Sequence, residues 1–179
     1  MGSDEVIIEQ VLGGNTRLYG ELMTRYQDTV FWLAFRILRS REESEDAVQQ
    51  IFLQVYSKLD TYDADKGSFW AWIRRITVNV CLTMSSREKP REMLDEFADV
   101  GFLFSSSVEQ GMLARVRTED IRKIISDLPS DYRIVTVLRY QEDLSYKEIS
   151  DLLGVTIPTL QVRLHRAKKM LAERLESVL

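Results

Sequence analysis

Apolar residues recur every three or four positions through most of this 179-residue chain. An α-helix turns once every 3.6 residues, so this spacing places them on one face of a helix. No stretch of useful length alternates apolar and polar residues as a half-buried β-strand does, and only three prolines and eight glycines interrupt the helical pattern. The spacing therefore predicts an all-α fold built from amphipathic helices.

Four helices are predicted in the first half of the chain. They span Asp4 to Leu12, a long segment beyond Gly13 and Gly14, residues 41–59, and a segment that Ser68 caps. The stripe expected to be buried in the second helix is Tyr19, Leu22, Met23, Tyr26, Val30, Leu33, Ala34 and Ile37. The stripes of the third and fourth helices are Val48, Ile51, Phe52, Val55 and Leu59, and then Phe69, Trp72, Ile73, Ile76 and Val80. A polar loop at 60–67 separates these last two helices.

The helical pattern weakens between Ser85 and Gly111 and resumes near residue 118. The composition in between predicts a linker, although four of its apolar side chains favour docking on another surface: Phe97, Phe102, Leu103 and Phe104. Further helices are predicted at about 118–128, 130–141, 145–153 and from Ile157 nearly to the end, the last with Leu160, Leu164, Ala167, Leu171 and Leu175 buried. We therefore expect two small helical domains, residues 1–85 and 115–179, joined by a linker over 86–114.

Composition and charge narrow the classes of function. No apolar run in the chain approaches the length of roughly 20 residues that a helix needs to cross a bilayer, and no signal-peptide pattern is present. The single cysteine, Cys81, cannot form an internal disulfide, which is consistent with a reducing compartment. We therefore expect a cytoplasmic protein without membrane insertion. With His165 as the only histidine, no glycine-rich phosphate loop and no metal cluster, we expect no enzyme, no cofactor, no metal and no small-molecule substrate. The net charge is −4, yet residues 155–179 hold five basic residues against two acids. That local excess favours one confined contact with DNA.

A helix-turn-helix is predicted at residues 144–169. Ser145 and Glu148 have the spacing of a capping box, Gly154 permits a turn with positive φ, and Thr156 can cap the second helix. The side chains predicted to face outward from that helix are Thr159, Gln161, Val162, Arg163, His165, Arg166 and Lys169. Such a helix fits the major groove, where Arg and Gln contact base edges and Lys contacts phosphates. The alternative is an ordinary helical hairpin with a solvated basic face.

Longer stretches resemble a known family. The segment DLPSDYRIVTVLRYQEDLSYKEISDLLGVTIPTLQVRLHRAKKML is similar to the fourth conserved region of bacterial sigma factors. In the first half, ESEDAVQQIFLQVYSKLDTYD and FWAWIRRITVNVCL resemble parts of the second conserved region. Two such conserved regions in this order, with only a short linker between them, resemble the extracytoplasmic-function group of the sigma-70 family.

The resemblance implies a polymerase contact on the third helix. Its outer face would dock on the coiled coil of the largest polymerase subunit through Asp46, Gln49, Gln50 and Leu53. An apolar leucine among polar groups suits a protein contact. Taken without the resemblance, the same pattern is an ordinary solvated face with one stray leucine.

The resemblance also implies that the loop at 60–67 and the helix after it recognise the minus-ten element and stabilise melted DNA. The residues carried over are Lys66, Trp70, Arg74, Arg75 and Asn79. Aromatic rings stack on unpaired bases and cations attract phosphates. Trp70 is expected opposite the buried stripe, whereas Trp72 is expected in the core. Arg74 and Arg75 could equally be solvated surface charges.

The family further implies three kinds of partner. They are the two largest subunits of core RNA polymerase, promoter DNA in double-stranded and melted form, and an anti-sigma factor. The sequence departs from the family pattern at Gln50, Trp70, Pro158, Gln161 and Val162, and these departures leave the fold intact. Gln161 and Val162 lie on the face that reads the minus-thirty-five element. The minus-thirty-five sequence should therefore be particular to this protein. The alternatives are a helix-turn-helix regulator that binds operators as a homodimer and a purely structural helical adaptor.

Overall fold

The computed structural model describes residues 2–88 and 125–176, and the chain divides into two compact units, Met1–Pro90 and Arg91–Leu179. The first unit contains α1 (Asp4–Leu12), α2 (Tyr19–Leu38), α3 (Arg41–Ser57) and α4 (Phe69–Glu88), with short 3-10 turns at Thr16–Leu18, Leu59–Thr61 and Ala64–Lys66. The second contains α5 (Ser130–Tyr140), α6 (Tyr146–Leu153) and α7 (Ile157–Glu176). Within the two described ranges every regular element is helical, which confirms the predicted all-α class.

Serine caps determine where three helices of the first unit begin. The Oγ atoms of Ser3, Ser40 and Ser68 accept hydrogen bonds from backbone N–H groups in the first turns of α1, α3 and α4. A side-chain acceptor there satisfies an amide that has no partner within the helix. The predicted cap at Ser68 is confirmed, with 3.2 Å between its Oγ and the amide nitrogen of Ala71.

The core of the first unit lies where α2, α3 and α4 pack against one another. The apolar side chains buried there include Leu22, Val30, Leu33, Ala34, Ile37, Ala47, Ile51, Phe52, Val55, Phe69, Ile73, Ile76, Val80 and Cys81. Desolvation raises the pKa of the Cys81 thiol to about 12, so it remains a neutral, small apolar side chain. Cys81 is thus a free cysteine that fills space in the core.

The sequence prediction for the first unit needs correction at a few positions. The half-buried members of the predicted stripes are Tyr19, Tyr26, Val48 and Trp72. Met23 is exposed, because Leu22 beside it already occupies the inward position and a helix turns about 100° per residue. The third helix ends at Ser57, and Leu59 is buried from the following 3-10 turn. An apolar stripe continues across a helix end whenever the next turn also packs on the core, so periodicity alone overestimates the length of the helix.

The second unit has a helix-turn-helix built on α5. Residues Tyr132 to Leu138 are all buried, because both α6 and α7 pack on α5. The capping box is confirmed: the amide of Glu148 donates to Ser145 Oγ and the Glu148 carboxylate accepts from the Ser145 amide. Gly154 has φ of +66° at the end of α6, as the turn requires.

The start and end of this unit are only partly as predicted. On α7 Leu160, Leu164 and Ala167 are buried, whereas Leu171 and Leu175 are half-buried. Leu171 packs at the edge of the cluster formed by Leu128, Tyr132 and Ala167. Residues 125–126 are helical, but residues 127–128 already form a turn before Pro129, so the predicted helix ends two residues early. Residues 118–124 of that prediction lie outside the described residues. Phe97 and Phe102–Phe104 of the predicted linker also lie outside them.

Candidate functional site

The outer face of α3 brings together the four residues predicted to contact polymerase. Ala47, Ile51 and Val55 are completely buried on the inner face, so α3 is held firmly with its other side outward. The exposed side chains on that other side are Asp46, Gln49, Gln50 and Leu53. Leu53 is 72% exposed, the largest fraction among the exposed large apolar residues in the part of the chain that the structure describes. These four residues are called the α3 patch below.

Tyr56 extends this face and was missed by the sequence reasoning. It lies three positions beyond Leu53, is 46% exposed, and its ring contacts that of Tyr19 edge-on at 4.9 Å between centroids. Tyr19 is itself fixed, since its hydroxyl donates to the Phe52 carbonyl at 2.6 Å. The three-residue spacing from Leu53 was the sequence signal that could have identified Tyr56.

Five aromatic rings surround the start of α4. They are Tyr26 of α2, Tyr62 of the preceding loop, and Phe69, Trp70 and Trp72 of α4, called the aromatic cluster below. Phe69 is buried at its centre, with ring centroids 5.5 Å from Tyr26, 5.1 Å from Tyr62 and 5.6 Å from Trp72. Offset and edge-on contacts at such distances are favourable beyond the burial of area. The cluster therefore joins α2, the loop and α4 at one place.

The two tryptophans of the cluster do not lie as the sequence predicted. Trp70 is half-buried, and its ring is parallel to Tyr26 at 6.2 Å, so it does not lie opposite the buried stripe. The reason is that α4 is covered over a wide arc: Val78, eight positions further on, is fully buried. Trp72 was predicted in the core, but it is only half-buried.

The predicted DNA-contacting residues of α4 divide between two sides of the helix. Arg75 and Asn79 are exposed and follow Trp72 at intervals of three and four residues, so these three lie along one side. Arg74 is half-buried and lies one turn beyond Trp70. An aromatic ring followed by a guanidinium and an amide on one helix face can stack on a base and hold the adjoining backbone.

Lys66 lies in the loop before α4 and is engaged locally. Its Nζ is 2.9 Å from a carboxylate oxygen of Asp63, and the same Asp63 side chain accepts from the amide of Asp65. The hydrogen bond from Lys66 lowers the pKa of the Asp63 carboxyl below its ordinary value. The ammonium is exposed, so it can exchange this partner for a phosphate at little cost.

On α7 the predicted reading residues separate into a ridge and its flanks. Gln161, His165 and Lys169 are exposed and recur every four residues, which aligns them along the helix. Val162, Arg163 and Arg166 are half-buried beside this ridge. Thr159 is engaged in the helix cap: its amide donates to Thr156 Oγ1, and the two hydroxyls are 2.9 Å apart. The turn before α7 is tightened by Ser150, whose hydroxyl donates to the Val155 carbonyl at 2.6 Å.

No helix in residues 2–88 or 125–176 is both long and apolar enough to cross a membrane. The same part of the chain holds no group of three or more His, Cys, Asp or Glu side chains arranged to bind a metal ion.

Comparison with known proteins places the chain in a family. The model for sigma-70 region 2 matches residues 22–91, and the model for sigma-70 region 4 matches residues 118–171. The chain is 32% identical to the ECF RNA polymerase sigma factor SigW of Bacillus subtilis, with 96% of each chain covered. It is 29% identical to the ECF RNA polymerase sigma-E factor of Escherichia coli, over 99% of this chain and 96% of that one.

Solved structures agree on the fold. The chain resembles CnrH in its complex with the cytosolic domain of CnrY, with 23% identity, a TM-score of 0.60, and 98% and 99% of the two chains covered. It also resembles the sigma factor RpoE bound to the anti-sigma factor NepR from Bartonella quintana, with 22% identity, a TM-score of 0.61, and 88% and 96% covered. The chain belongs to the sigma-70 family of RNA polymerase sigma factors, and within it to the extracytoplasmic-function group.

Proposed function

We propose that this sigma factor divides promoter recognition between two helical domains, residues 1–85 and 115–179, joined by a linker at 86–114. The first domain binds core polymerase through the α3 patch and captures unpaired minus-ten bases beside the aromatic cluster. The second inserts α7 into the major groove at the minus-thirty-five element and contacts the flap of the second-largest subunit. The strongest support is that one chain carries two different DNA-binding features. The first is the aromatic cluster, which lies beside the exposed side chains of Arg75 and Asn79. The second is a helix-turn-helix whose last helix has an exposed polar ridge.

The chemistry of RNA synthesis belongs to the polymerase in this proposal. The chain supplies binding energy and selectivity, needs no cofactor, and acts in the cytoplasm where transcription takes place. The Bartonella quintana sigma factor RpoE is bound to the anti-sigma factor NepR, and CnrH is bound to the cytosolic domain of CnrY. We propose an anti-sigma factor as a partner here. Such a partner would cover the α3 patch or α7 until a signal releases the sigma factor.

The competing function is a regulator that binds operators as a homodimer. Sedimentation of the protein alone and mixed with bacterial core polymerase separates the two. We expect the chain to co-sediment with core polymerase at one copy per enzyme. A stable dimer that does not co-sediment with core would favour the regulator.

The polar ridge of α7 carries the first prediction. Gln161→Ala should cost about 1–3 kcal/mol of binding to the preferred minus-thirty-five sequence, since Gln pairs with a base edge through two hydrogen bonds. The loss should disappear on promoters altered at the contacted base pair. Binding of holoenzyme to a set of promoter variants measures it.

The matched control for the ridge is Lys169→Ala, on the same exposed row. A lysine that contacts phosphate should weaken binding equally on all sequences and reduce the salt slope by about one. If Gln161→Ala also weakened every sequence alike, Gln161 would not read a base.

The aromatic cluster carries the second prediction. Trp70→Ala and Trp72→Ala should each spare closed-complex formation and reduce promoter opening by about tenfold, because base stacking contributes about 1–3 kcal/mol. Permanganate reactivity of unpaired thymines measures opening. The matched control is Trp32→Ala, which removes a tryptophan that is 52% exposed on α2 and outside the cluster. Full reactivity in a cluster variant would remove that tryptophan from the site.

A further inference from the structure

Helix α1 precedes the segment that matches the region 2 family model, which begins at residue 22. Its apolar side is packed on the first unit through Ile7, Ile8 and Val11, all of them buried. These three side chains pack the helix onto the core. Its polar first turn makes a separate set of contacts, and that set reaches the aromatic cluster.

The polar contacts start at Asp4, the first residue of α1. One of its carboxylate oxygens is 2.8 Å from Nη1 of Arg25, and the other accepts a hydrogen bond from the Tyr26 hydroxyl. Arg25 also donates to the Gly2 carbonyl at 2.9 Å. The Asp4 and Arg25 side chains are only 21% and 25% exposed, so water screens this pair less than an ordinary surface pair.

Tyr26 contacts both α1 and α4. Its hydroxyl is bound to α1 while its ring is parallel to Trp70, with 4° between the planes, and packs edge-on against Phe69. Burial, followed by the hydrogen bond to Asp4, raises the pKa of Tyr26, so the hydroxyl stays protonated and remains a donor. One side chain thus connects the N-terminal helix with the first two residues of α4.

A second route leads from α1 to the loop before α4. Burial, and then the negative charges of Glu5 and Asp4 in the first turn of α1, raise the pKa of Tyr62. Tyr62 packs on Phe69 and Trp72, and its hydroxyl donates to the Gly67 carbonyl at 3.3 Å. Helix α1 also contacts the turn Leu59–Thr61.

We propose that α1 is part of the promoter-opening site, with Asp4 and Tyr26 as positioning residues that hold Trp70 and the start of α4 in the geometry that receives unpaired bases. The inference rests on the proposed function, because it assigns no role to α1 unless the aromatic cluster opens DNA. It assigns no direct DNA contact to Asp4 or Tyr26. A group held on both sides is preorganised, which lowers the cost of ordering it when a base arrives.

Two conservative variants of the full chain test this. Tyr26→Phe keeps the ring against Trp70 and removes the hydroxyl, and Asp4→Asn removes the charge that both partners bind. Because Ile7, Ile8 and Val11 still anchor α1, both variants should bind core polymerase as the natural chain does. On duplex promoter DNA each should open about tenfold less, as expected for loss of a hydrogen bond to a charged group.

The discriminating measurement repeats the assay on a template with a preformed bubble at the minus-ten element. The positioning role predicts that the defect largely disappears there, since the bases are already unpaired. The control Glu9→Gln changes an exposed acid elsewhere on α1 and should behave as the natural chain on both templates.

Three outcomes decide the inference. Opening by both variants at the rate of the natural chain would overturn it. Equal losses on duplex and bubble templates, in step with weaker core binding or a lower thermal midpoint, would also overturn it, since they indicate a purely structural role for α1. If the natural chain itself opened no promoter, the proposed function would fail, and the positioning role with it.

Discussion

Replacing Leu53 with aspartate should weaken binding to bacterial core polymerase by about thirtyfold or more. Leu53 is 72% exposed and surrounded by Asp46, Gln49 and Gln50, the arrangement of an apolar anchor within a polar rim. Loss of an interface anchor costs about 2 kcal/mol or more, and a buried, unpaired carboxylate adds to that cost. Titration of fluorescently labelled protein with core polymerase measures the affinity.

The matched control for this variant is Leu12→Asp. Leu12 is 53% exposed in the same unit, but lies at the end of α1 and outside the α3 patch. It should bind core polymerase as tightly as the natural chain. Natural affinity in the Leu53 variant, or an equal loss in both, would contradict the assignment of the α3 patch.

Phe69→Ala should lower the free energy of unfolding of the first unit by about 3–5 kcal/mol. Phe69 is 2% exposed, and three other aromatic rings lie within 5.6 Å of its centroid, so truncation leaves a cavity that they cannot fill without losing their own contacts. All three tryptophans belong to the first unit. Urea unfolding followed by tryptophan fluorescence therefore reports on this unit alone.

Met23→Ala is the control for that experiment and also tests the corrected burial of α2. Met23 is exposed, so its truncation should change stability by no more than about 0.5 kcal/mol. A loss similar to that of Phe69→Ala would mean that Met23 contributes to the core after all. An unchanged transition for Phe69→Ala would contradict the central place of Phe69 in the aromatic cluster.

Local patterns explain what could be predicted from the sequence. The caps at Ser68 and Ser145 depend on residues at most three positions apart, and the turn at Gly154 depends on one residue that tolerates positive φ. The outward position of Leu53 follows from the helical spacing of its buried neighbours. Such features are set within one or two turns of a helix, so one sequence is enough to find them.

Contacts between distant segments explain what could not be predicted. Trp70 was expected on the open side of α4, but Tyr26 lies 44 positions earlier in the chain and covers it. The bond between Asp4 and Tyr26 likewise joins residues 22 positions apart, with no local signal at either. The spacing within a helix shows which side chains share a face, but not which neighbouring element covers that face.

The central claim is that this chain directs core polymerase to promoters. In vitro transcription with bacterial core polymerase, on fragmented genomic DNA of the organism that encodes the chain, tests it most directly. We expect new, discrete transcript starts that appear only with the protein and share two sequence elements upstream. The absence of new starts, together with a twofold-symmetric footprint of the protein alone on the same DNA, would contradict the account.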